Sequence, residues 1–470
     1  MKIALVNTNR MQPPIAPIGL DYVAEALSAS GYSVEMLDLC WEEDSGEAIA
    51  RFLSRSDFGL VGMTLRNTDD CVYTSRQSFI EEFISLVKTV RENSGAPIVL
   101  GGVGFSTMPE RILALAGADY GVWGDGEFVL PALARRLERE ESVFDLPNLV
   151  LYRNGDWQRN PPVPWPLAHL PSMRRMWVDN RRYFQHGGQC GFETKRGCSG
   201  LCIYCADPVA KGKQMRVRPP SDVVDELQAL LDQGIDCLHT CDSEFNIPDD
   251  HAMAVCMEII RRGLGGRIQW YAYCSPAPFS GELAGAMRKA GCAGIDFGAD
   301  NGSRAMLQRL GRNFGPEDIL NATSLAGKEG MAVMLDLLLG TPGESMESIT
   351  QTVELMKRAG PDRIGISLGV RVYPGTPLER ELKPAEDTGG IVGGMDLFDP
   401  VFYLEPKIEH RVFQWLHALI DGDRRFLFYD PAKPKQNYNY NDNQRLVDAI
   451  RQGHRGAYWD ILRKLGDPEI

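Results

Sequence analysis

What most constrains this chain is an alternation of strand and helix patterns that runs twice and is interrupted once by proline. In residues 1 to about 140, short apolar runs at 3–7, 33–39, 60–65, 97–100 and 120–123 are separated by helical patterns such as Gly19 to Ser30. That repetition predicts an α/β fold with a doubly wound parallel sheet, which takes ligands beyond the carboxyl ends of its strands. Four loops fall at those ends: 7–14, 64–71, 101–106 and Gly124-Asp125-Gly126-Glu127. Their glycines serve equally well as ligand-approach or tight-turn residues. From 141 to 189 the pattern breaks into a proline-rich linker that includes Pro161-Pro162-Val163-Pro164-Trp165-Pro166. The second alternation, over 190–385, places strands near 191–195, 235–240, 268–273, 293–298, 332–339 and 364–372. Six such units make a partial (β/α)6 barrel with its chemistry at the C-terminal strand ends. Residues 386–470 read as a small helical C-terminal cap.

Composition narrows the function classes. With 63 acidic and 50 basic side chains the formal charge is −13, which disfavours nucleic acid as a partner. No uncharged apolar run reaches the roughly 18 residues of a membrane span, and the N-terminus lacks a signal-peptide pattern, so the expectation is a cytoplasmic protein without a membrane partner. In that reducing setting the eleven cysteines are not a disulfide framework, and any that cluster point to metal binding or chemistry.

Three of them cluster. Arg196-Gly197-Cys198-Ser199-Gly200-Leu201-Cys202-Ile203-Tyr204-Cys205 follows the first barrel strand and carries Cys198, Cys202 and Cys205 at spacing C-x3-C-x2-C. Three thiolates on a glycine-bearing loop suit three irons of a [4Fe-4S] cluster and leave the fourth open, because no fourth cysteine follows within thirty residues. A zinc knuckle or buried apolar cysteines are the structural alternatives.

This motif in this position resembles the radical SAM superfamily. The resemblance implies that the open iron binds S-adenosylmethionine and that the reduced cluster, fed by a low-potential electron donor such as flavodoxin or ferredoxin, breaks a carbon–sulfur bond. It implies further that Tyr204 stands beside the adenine. Asp242-Ser243-Glu244 would offer a carboxylate, Glu244, to the methionine ammonium, and Gly298-Ala299-Asp300-Asn301 would bring Asp300 and Asn301 near the ribose. Gly340-Thr341-Pro342-Gly343-Glu344 and Tyr373-Pro374-Gly375-Thr376-Pro377-Leu378 follow in family order. The preceding doubly wound domain resembles the cobalamin-binding domain of the B12-dependent subclass, through Pro13-Pro14-Ile15-Ala16-Pro17-Ile18-Gly19-Leu20, Gly101-Gly102 and the 124–127 loop. The D-x-H-x-x-G signature is absent, and none of the seven histidines lies in the first 150 residues, so a cobalamin held here receives no histidine from this domain. Arg66-Asn67-Thr68-Asp69-Asp70-Cys71 either lines the corrin or forms a capping turn.

Other residues at the predicted barrel mouth could carry chemistry. Cys241 and Cys274 end adjacent strands and are either a thiol pair facing the substrate or apolar filler. His239 shares a face with Cys241 by alternation and is either a base or a core residue. Lys195, Arg196, Arg216 and Arg218 either answer the charge of the cofactors or face solvent. The segment Asn437 to Asn443 is a candidate lid, whereas Tyr458 and Trp459 anchor the last helix.

The resemblance implies a radical SAM enzyme of specialised metabolism that acts on a small molecule, conventionally by cobalamin-assisted C-methylation. A weaker resemblance, to the radical SAM protein of arsinothricin biosynthesis, implies instead transfer of the 3-amino-3-carboxypropyl group of SAM to a thiophilic acceptor such as trivalent arsenic. Radical dehydration or rearrangement is a third expectation, and a non-catalytic cobalamin or iron–sulfur carrier or sensor is the reading from another class.

Overall fold

In the computed structural model, which describes residues 1–382, 389–394, 398–432 and 440–466, Ile3, Ala4, Leu5 and Val6 are completely buried. A strand apolar on both faces needs helices above and below it, the situation of a central strand in a parallel sheet. That strand, β1 (Lys2–Asn7), lies between β2 (Ser33–Asp38) and β3 (Leu60–Thr64), followed by β4 (Ile98–Gly101) and β5 (Tyr120–Val122), all parallel. Helices Ile18–Ala29 and Gly126–Glu138 cover one face, and Ser45–Leu53, Ile80–Asn93 and Pro109–Ala116 the other. The order β2-β1-β3-β4-β5 reverses between β1 and β3, so the ligand crevice opens between the loops that follow those two strands.

Two more strands, β6 (Leu149–Arg153) and β7 (Asp156–Arg159), extend this sheet antiparallel. Both come from the stretch expected to be linker from 141 onward. Asn154 and Gly155, at φ 54° and 87°, make the left-handed turn that joins them.

The second sheet is entirely parallel. From one edge it runs β8 (Cys190–Phe192), β11 (Cys237–Thr240), β12 (Gln269–Cys274), β13 (Cys292–Asp300), β14 (Ala332–Leu339), β15 (Arg363–Leu368) and β19 (Phe426–Phe428). The first six are the expected barrel strands. The seventh comes from the segment expected to be a small helical cap. Between β8 and β11, the short ribbon of β9 (Lys195–Arg196) and β10 (Arg216–Val217) ties together the two ends of the loop that carries the three cysteines. After β15, β16 (Val370–Arg371), β17 (Ile391–Val392) and β18 (Phe402–Tyr403) form a small separate sheet. Tyr271, Cys237 and Met334 fill the bottom of the barrel against Ala457 and Trp459, and the Tyr271 hydroxyl donates to Asp460 at 2.6 Å, so helix Tyr458–Leu465 plugs that end as expected. Residues 437–439 of the candidate lid lie outside the described residues.

A buried ionic network locks the two sheets together. Arg175 donates to Asp21 on the first domain's helix Ile18–Ala29 at 2.8 Å, and to Glu226 on barrel helix Pro220–Asp232 at 2.7 Å. It also donates to the carbonyl of Gly191 at 2.9 Å and to Asn180 at 3.1 Å. Arg218 and the Tyr22 hydroxyl reach the same Glu226. Arg196 donates twice to Glu127 and once to Asp125, and Arg216 pairs with Asp125 as well. Arg196, Arg216 and Arg218 are therefore neither solvated nor aimed at a cofactor. The Gly124–Glu127 loop, expected as a ligand loop, grips the base of the cysteine ribbon. Its carboxylates need partners once burial removes water, and these arginines supply them.

Candidate active site

The carboxyl ends of the two sheets face one cavity of about 430 Å³. Arg66, Asn67, Thr68 and Cys71 after β3, with Val103, Gly104 and Thr107 after β4, line the side of the first domain. Tyr204, Cys205, Asp207, Asp300, Asp336 and Tyr373 line the barrel side. Close approach of the first-domain loops depends on glycine: a Cβ on Gly104 would lie 2.9 Å from the Asn67 carbonyl carbon, and Gly102, at φ 102°, presses on Leu65. Arg371 donates to Asp69 at 2.8 Å across the domains, and Cys71 Sγ lies 3.1 Å from the Tyr373 hydroxyl. The Arg66–Cys71 turn thus lines the cavity and also docks the domains. Arg66 and Asn67 continue into a second cavity of about 380 Å³, bounded by Thr8 to Gln12, Phe79, Asn441 and Asp442.

Cys198, Cys202 and Cys205 are free, partly exposed thiols on one loop. A Cβ on Gly200 would stand 3.2 Å from Cys198 Sγ and 3.7 Å from Cys202 Sγ, so glycine keeps open a hollow that the two sulfurs border. The loop is pinned by three interactions. Asp242 accepts from Thr194 N, Thr194 Oγ1 and Lys195 N. Gly311, at φ 78°, leaves no room for a Cβ against the Leu201 carbonyl, and Ile203 N donates to Leu310 O. Burial raises all three thiols, Cys205 to about 12 with Asp207 adding to it. Soft sulfur donors around a glycine-lined hollow fit an iron–sulfur cluster, and the first domain's apolar Val103, left half-exposed in the cavity, fits a large flat ligand.

Arg312, which sequence reasoning missed, is the charge centre of this region. It donates to Cys202 Sγ at 2.9 Å, to Glu244 at 3.1 Å and to the Gly298 carbonyl at 2.8 Å, and its Nε lies 3.3 Å from Asp300. Asp300, at φ 55°, also accepts from the Tyr204 hydroxyl at 2.6 Å. Burial holds the Asp300 carboxyl above its ordinary range despite Arg312. The structure therefore brings Tyr204, Glu244 and Asp300 together with the cysteine loop.

Three expected site residues, Asn301, Gly340 and Cys274, face other neighbours. Asn301 is fully buried, donates to Glu344 and accepts from Thr352 Oγ1 and Ser303 N. Its side chain is thus fully engaged in bracing the strand end. Gly340, at φ 86°, is covered by Leu404. Cys274 is 1% exposed and packs in the helix-facing core with Cys256 and Cys292. On β12 it is Tyr271 and Tyr273 that face inward, so alternation turns Cys274 out, and no thiol pair exists with Cys241. Cys241, by contrast, is exposed, with its Sγ against Gly191, and desolvation, with Glu193 and Asp242 adding to it, pushes its thiol up to about 12. His239 faces inward, its Nδ1 2.8 Å from the Thr240 carbonyl and its ring 4.8 Å from that of Tyr273. Burial lowers its pKa, so it is neutral at pH 7. Burial and Asp336 hold Asp296, deeper in the barrel, well above the carboxyl range.

This geometry agrees with what known proteins show. Residues 5–134 match the B12 binding domain and residues 192–356 the Radical SAM superfamily. Tryptophan 2-C-methyltransferase of Streptomyces laurentii is 34% identical over 452 residues, covering 83% of this chain and 75% of that one. An uncharacterized methyltransferase of Pyrococcus horikoshii is 26% identical, covering 77% of each chain. The structure of the radical S-adenosylmethionine methyltransferase TsrM from Kitasatospora setae, with tryptophan substrate and a SAM analog bound, superposes with a TM-score of 0.92 at 29% identity over 98% of this chain and 97% of that one. The same enzyme with cobalamin and a [4Fe-4S] cluster bound gives 0.90. Two cofactor domains meeting at one cavity define a cobalamin-dependent radical SAM enzyme. This chain belongs to the cobalamin-dependent radical SAM methyltransferases, a family whose cofactors are a [4Fe-4S] cluster, S-adenosylmethionine and cobalamin. Among the described residues no helix is long and apolar enough to cross a membrane.

Proposed function

We propose that this enzyme transfers the methyl group of S-adenosylmethionine to a carbon of a small molecule of specialised metabolism, and that tryptophan, the substrate of its relatives, is the first acceptor to test. The observation that carries this reading is the single cavity into which both the Arg66–Cys71 and Val103–Thr107 loops and the Tyr204, Cys205 and Asp300 wall open. When bound, the cluster and cobalamin supply the electron and the methyl carriage that no side chain here provides.

The chain's own residues then have separable tasks. Cys198, Cys202 and Cys205 hold the cluster, and the Arg312 guanidinium offsets the charge that builds up on Cys202. Tyr204 and Asp300, joined by their hydrogen bond, flank the nucleoside, and Glu244 stands beside Arg312 to receive the ammonium of the methionine moiety. On the first-domain side Arg66, Asn67, Val103 and Thr107 would line the face presented to a corrin. A guanidinium has no lone pair to offer a metal, and no histidine lies in the first 150 residues, so neither would be supplied to a cobalt held here. His239, on the inward face of β11 against Tyr273, is neutral at pH 7 and would present an uncharged ring to the acceptor. A thiophilic acceptor is disfavoured because the thiol partner it would use, Cys274, is buried in the core.

The test is nucleoside analysis of SAM turnover by the anaerobically reconstituted protein with cobalamin and tryptophan. Cobalamin-dependent S-adenosylhomocysteine and a methylated acceptor are expected. Formation of 5′-methylthioadenosine as the sole nucleoside product would overturn the reading.

A further inference from the structure

Of the three candidate cluster sulfurs, one receives a charged donor among the described residues. Cys202 Sγ accepts from the Arg312 guanidinium at 2.9 Å, whereas Cys198 Sγ accepts from the Gly200 backbone N–H at 3.4 Å and Cys205 meets the Asp207 main chain. Protein groups alone fix the guanidinium there. Ile203 N donates to Leu310 O at 3.1 Å and Arg312 N to Leu307 O at 2.9 Å, so backbone bonds hold Arg312 against the cysteine loop. The side chain also donates to the Gly298 carbonyl at 2.8 Å and lies over the Phe314 ring, 4.8 Å from its centre. It is 8% exposed, so water screens its charge poorly.

The same guanidinium faces two carboxylates. Its Nη2 donates to Glu244 at 3.1 Å, and its Nε stands 3.3 Å from Asp300, which accepts the Tyr204 hydroxyl at 2.6 Å. Nε finds no hydrogen-bond acceptor, so the pairing with Asp300 is ionic and not directional. One cation is thus divided between a cluster sulfur and the two acids assigned above to the ammonium and the nucleoside of S-adenosylmethionine. The other charges close to the sulfurs are Lys195 on β9 and Asp207, both felt at Cys198. Asp207 is already engaged by Lys211 and Ser243.

We propose that Arg312 sets the reduction potential of the cluster and couples it to occupancy of the S-adenosylmethionine site. This rests on the cluster and nucleoside assignments above and adds a regulation of that same site. A charge-assisted hydrogen bond to a cluster sulfur favours the reduced form, which carries one more negative charge, and so raises the potential. In the empty site Glu244 and Asp300 draw on the same cation and weaken that effect. A ligand ammonium takes over the Glu244 carboxylate and leaves the guanidinium to Cys202. Filling the site therefore raises the potential, so an electron from an external low-potential donor is accepted most readily when the ligand is in place. By linkage, the reduced protein binds the ligand more tightly than the oxidised protein by the factor that the shift expresses.

The probe is S-adenosylhomocysteine, which keeps the ammonium, carboxylate and nucleoside but has no sulfonium charge and no methyl group to transfer. The full chain, reconstituted with cluster and cobalamin, is titrated potentiometrically with and without the probe, and the EPR signal of the reduced cluster is read apart from that of cob(II)alamin. Arg312→Gln should lower the probe-free potential and lose most of the upward shift that the probe causes in the wild type. Arg312→Lys, which keeps the charge without the fork, should fall between the two. Arg309→Gln removes an exposed arginine of the preceding helix, paired with Glu381, and should leave both values unchanged. Probe affinity needs no variant to fold: binding should be roughly fivefold or more tighter to the wild type with its cluster reduced than oxidised, cobalamin being held as cob(II)alamin in both. Equal affinity for the two forms, an unchanged potential in Arg312→Gln, or an equal shift in Arg309→Gln overturns the proposal. Absence of any probe binding removes the nucleoside assignment and the proposal with it, whereas binding without a shift removes the proposal alone. Transfer of labelled methyl tests the methyltransferase reading separately, so the failures are distinguishable.

Discussion

Replacing Arg175 by methionine tests how the cavity is held in place. Arg175 is buried and bridges Asp21 of the first domain and Glu226 of the barrel. Removing one partner of a buried pair costs about 3–5 kcal/mol because a charge is stranded. Glu226 keeps Arg218 and the Tyr22 hydroxyl, whereas Asp21 keeps only the 3.3 Å contact to Asn180 and the 3.2 Å bond from Trp177 N. The loss should therefore fall at the low end, about 3 kcal/mol, and lie mainly in docking of the domains. At about 1.4 kcal/mol per factor of ten, the open form becomes roughly 100-fold more populated, and limited proteolysis in the proline-rich stretch after β7 should accelerate by that factor. The pH dependence has a definite sign. Burial already raises the Asp21 pKa more than Arg175 lowers it, and losing the arginine raises it further. The penalty is absent below the unfolded pKa and grows as pH rises toward the folded one, so the defect should be larger at pH 8 than at pH 5. Adding Asp21→Asn should recover much of the loss. Acceleration below about fivefold, or a defect independent of pH, would refute this account of the interface.

Other perturbations follow from the same geometry. Arg312→Gln should leave the protein folded but weaken SAM binding by roughly tenfold or more, since Glu244, Asp300 and Cys202 lose their common cation; equilibrium binding checks it. Gly104→Val should lower cobalamin uptake during reconstitution, because the added atoms meet the Asn67 and Arg66 backbone; unchanged uptake in the cobalamin spectrum would remove that loop from the site. Cys274→Ala should cost less than about 2 kcal/mol in denaturant titration and leave the pattern of SAM products unchanged, as expected of a core residue.

Much of the architecture is legible in the sequence because parallel strands buried on both faces are written as apolar runs, and the barrel strands announce themselves this way. The Leu149–Arg159 hairpin was equally legible in principle: Asn154-Gly155 between two short runs is a hairpin signal, masked by the prolines that follow. Strand Phe426–Phe428 was not legible, since three residues carry no periodicity and only the edge of β15 gives them a partner. In the site, spacing alone marks the cysteine loop. The error at Cys274 is one of phase, because a strand end names two faces and only packing of Tyr271 and Trp459 at the barrel bottom decides which is inward. Arg312 was missed for a related reason: it is an ordinary charged residue in sequence, and burial beside distant partners gives it meaning.

The central claim is that the two domains cooperate to move a methyl group from SAM to carbon. Isotopically labelled SAM methyl should appear on a carbon of the acceptor only when both cobalamin and the cluster are present, and Cys198→Ala, which loses the cluster, should abolish it. Label retained entirely in 5′-methylthioadenosine, or transfer undiminished without cobalamin, would contradict the account.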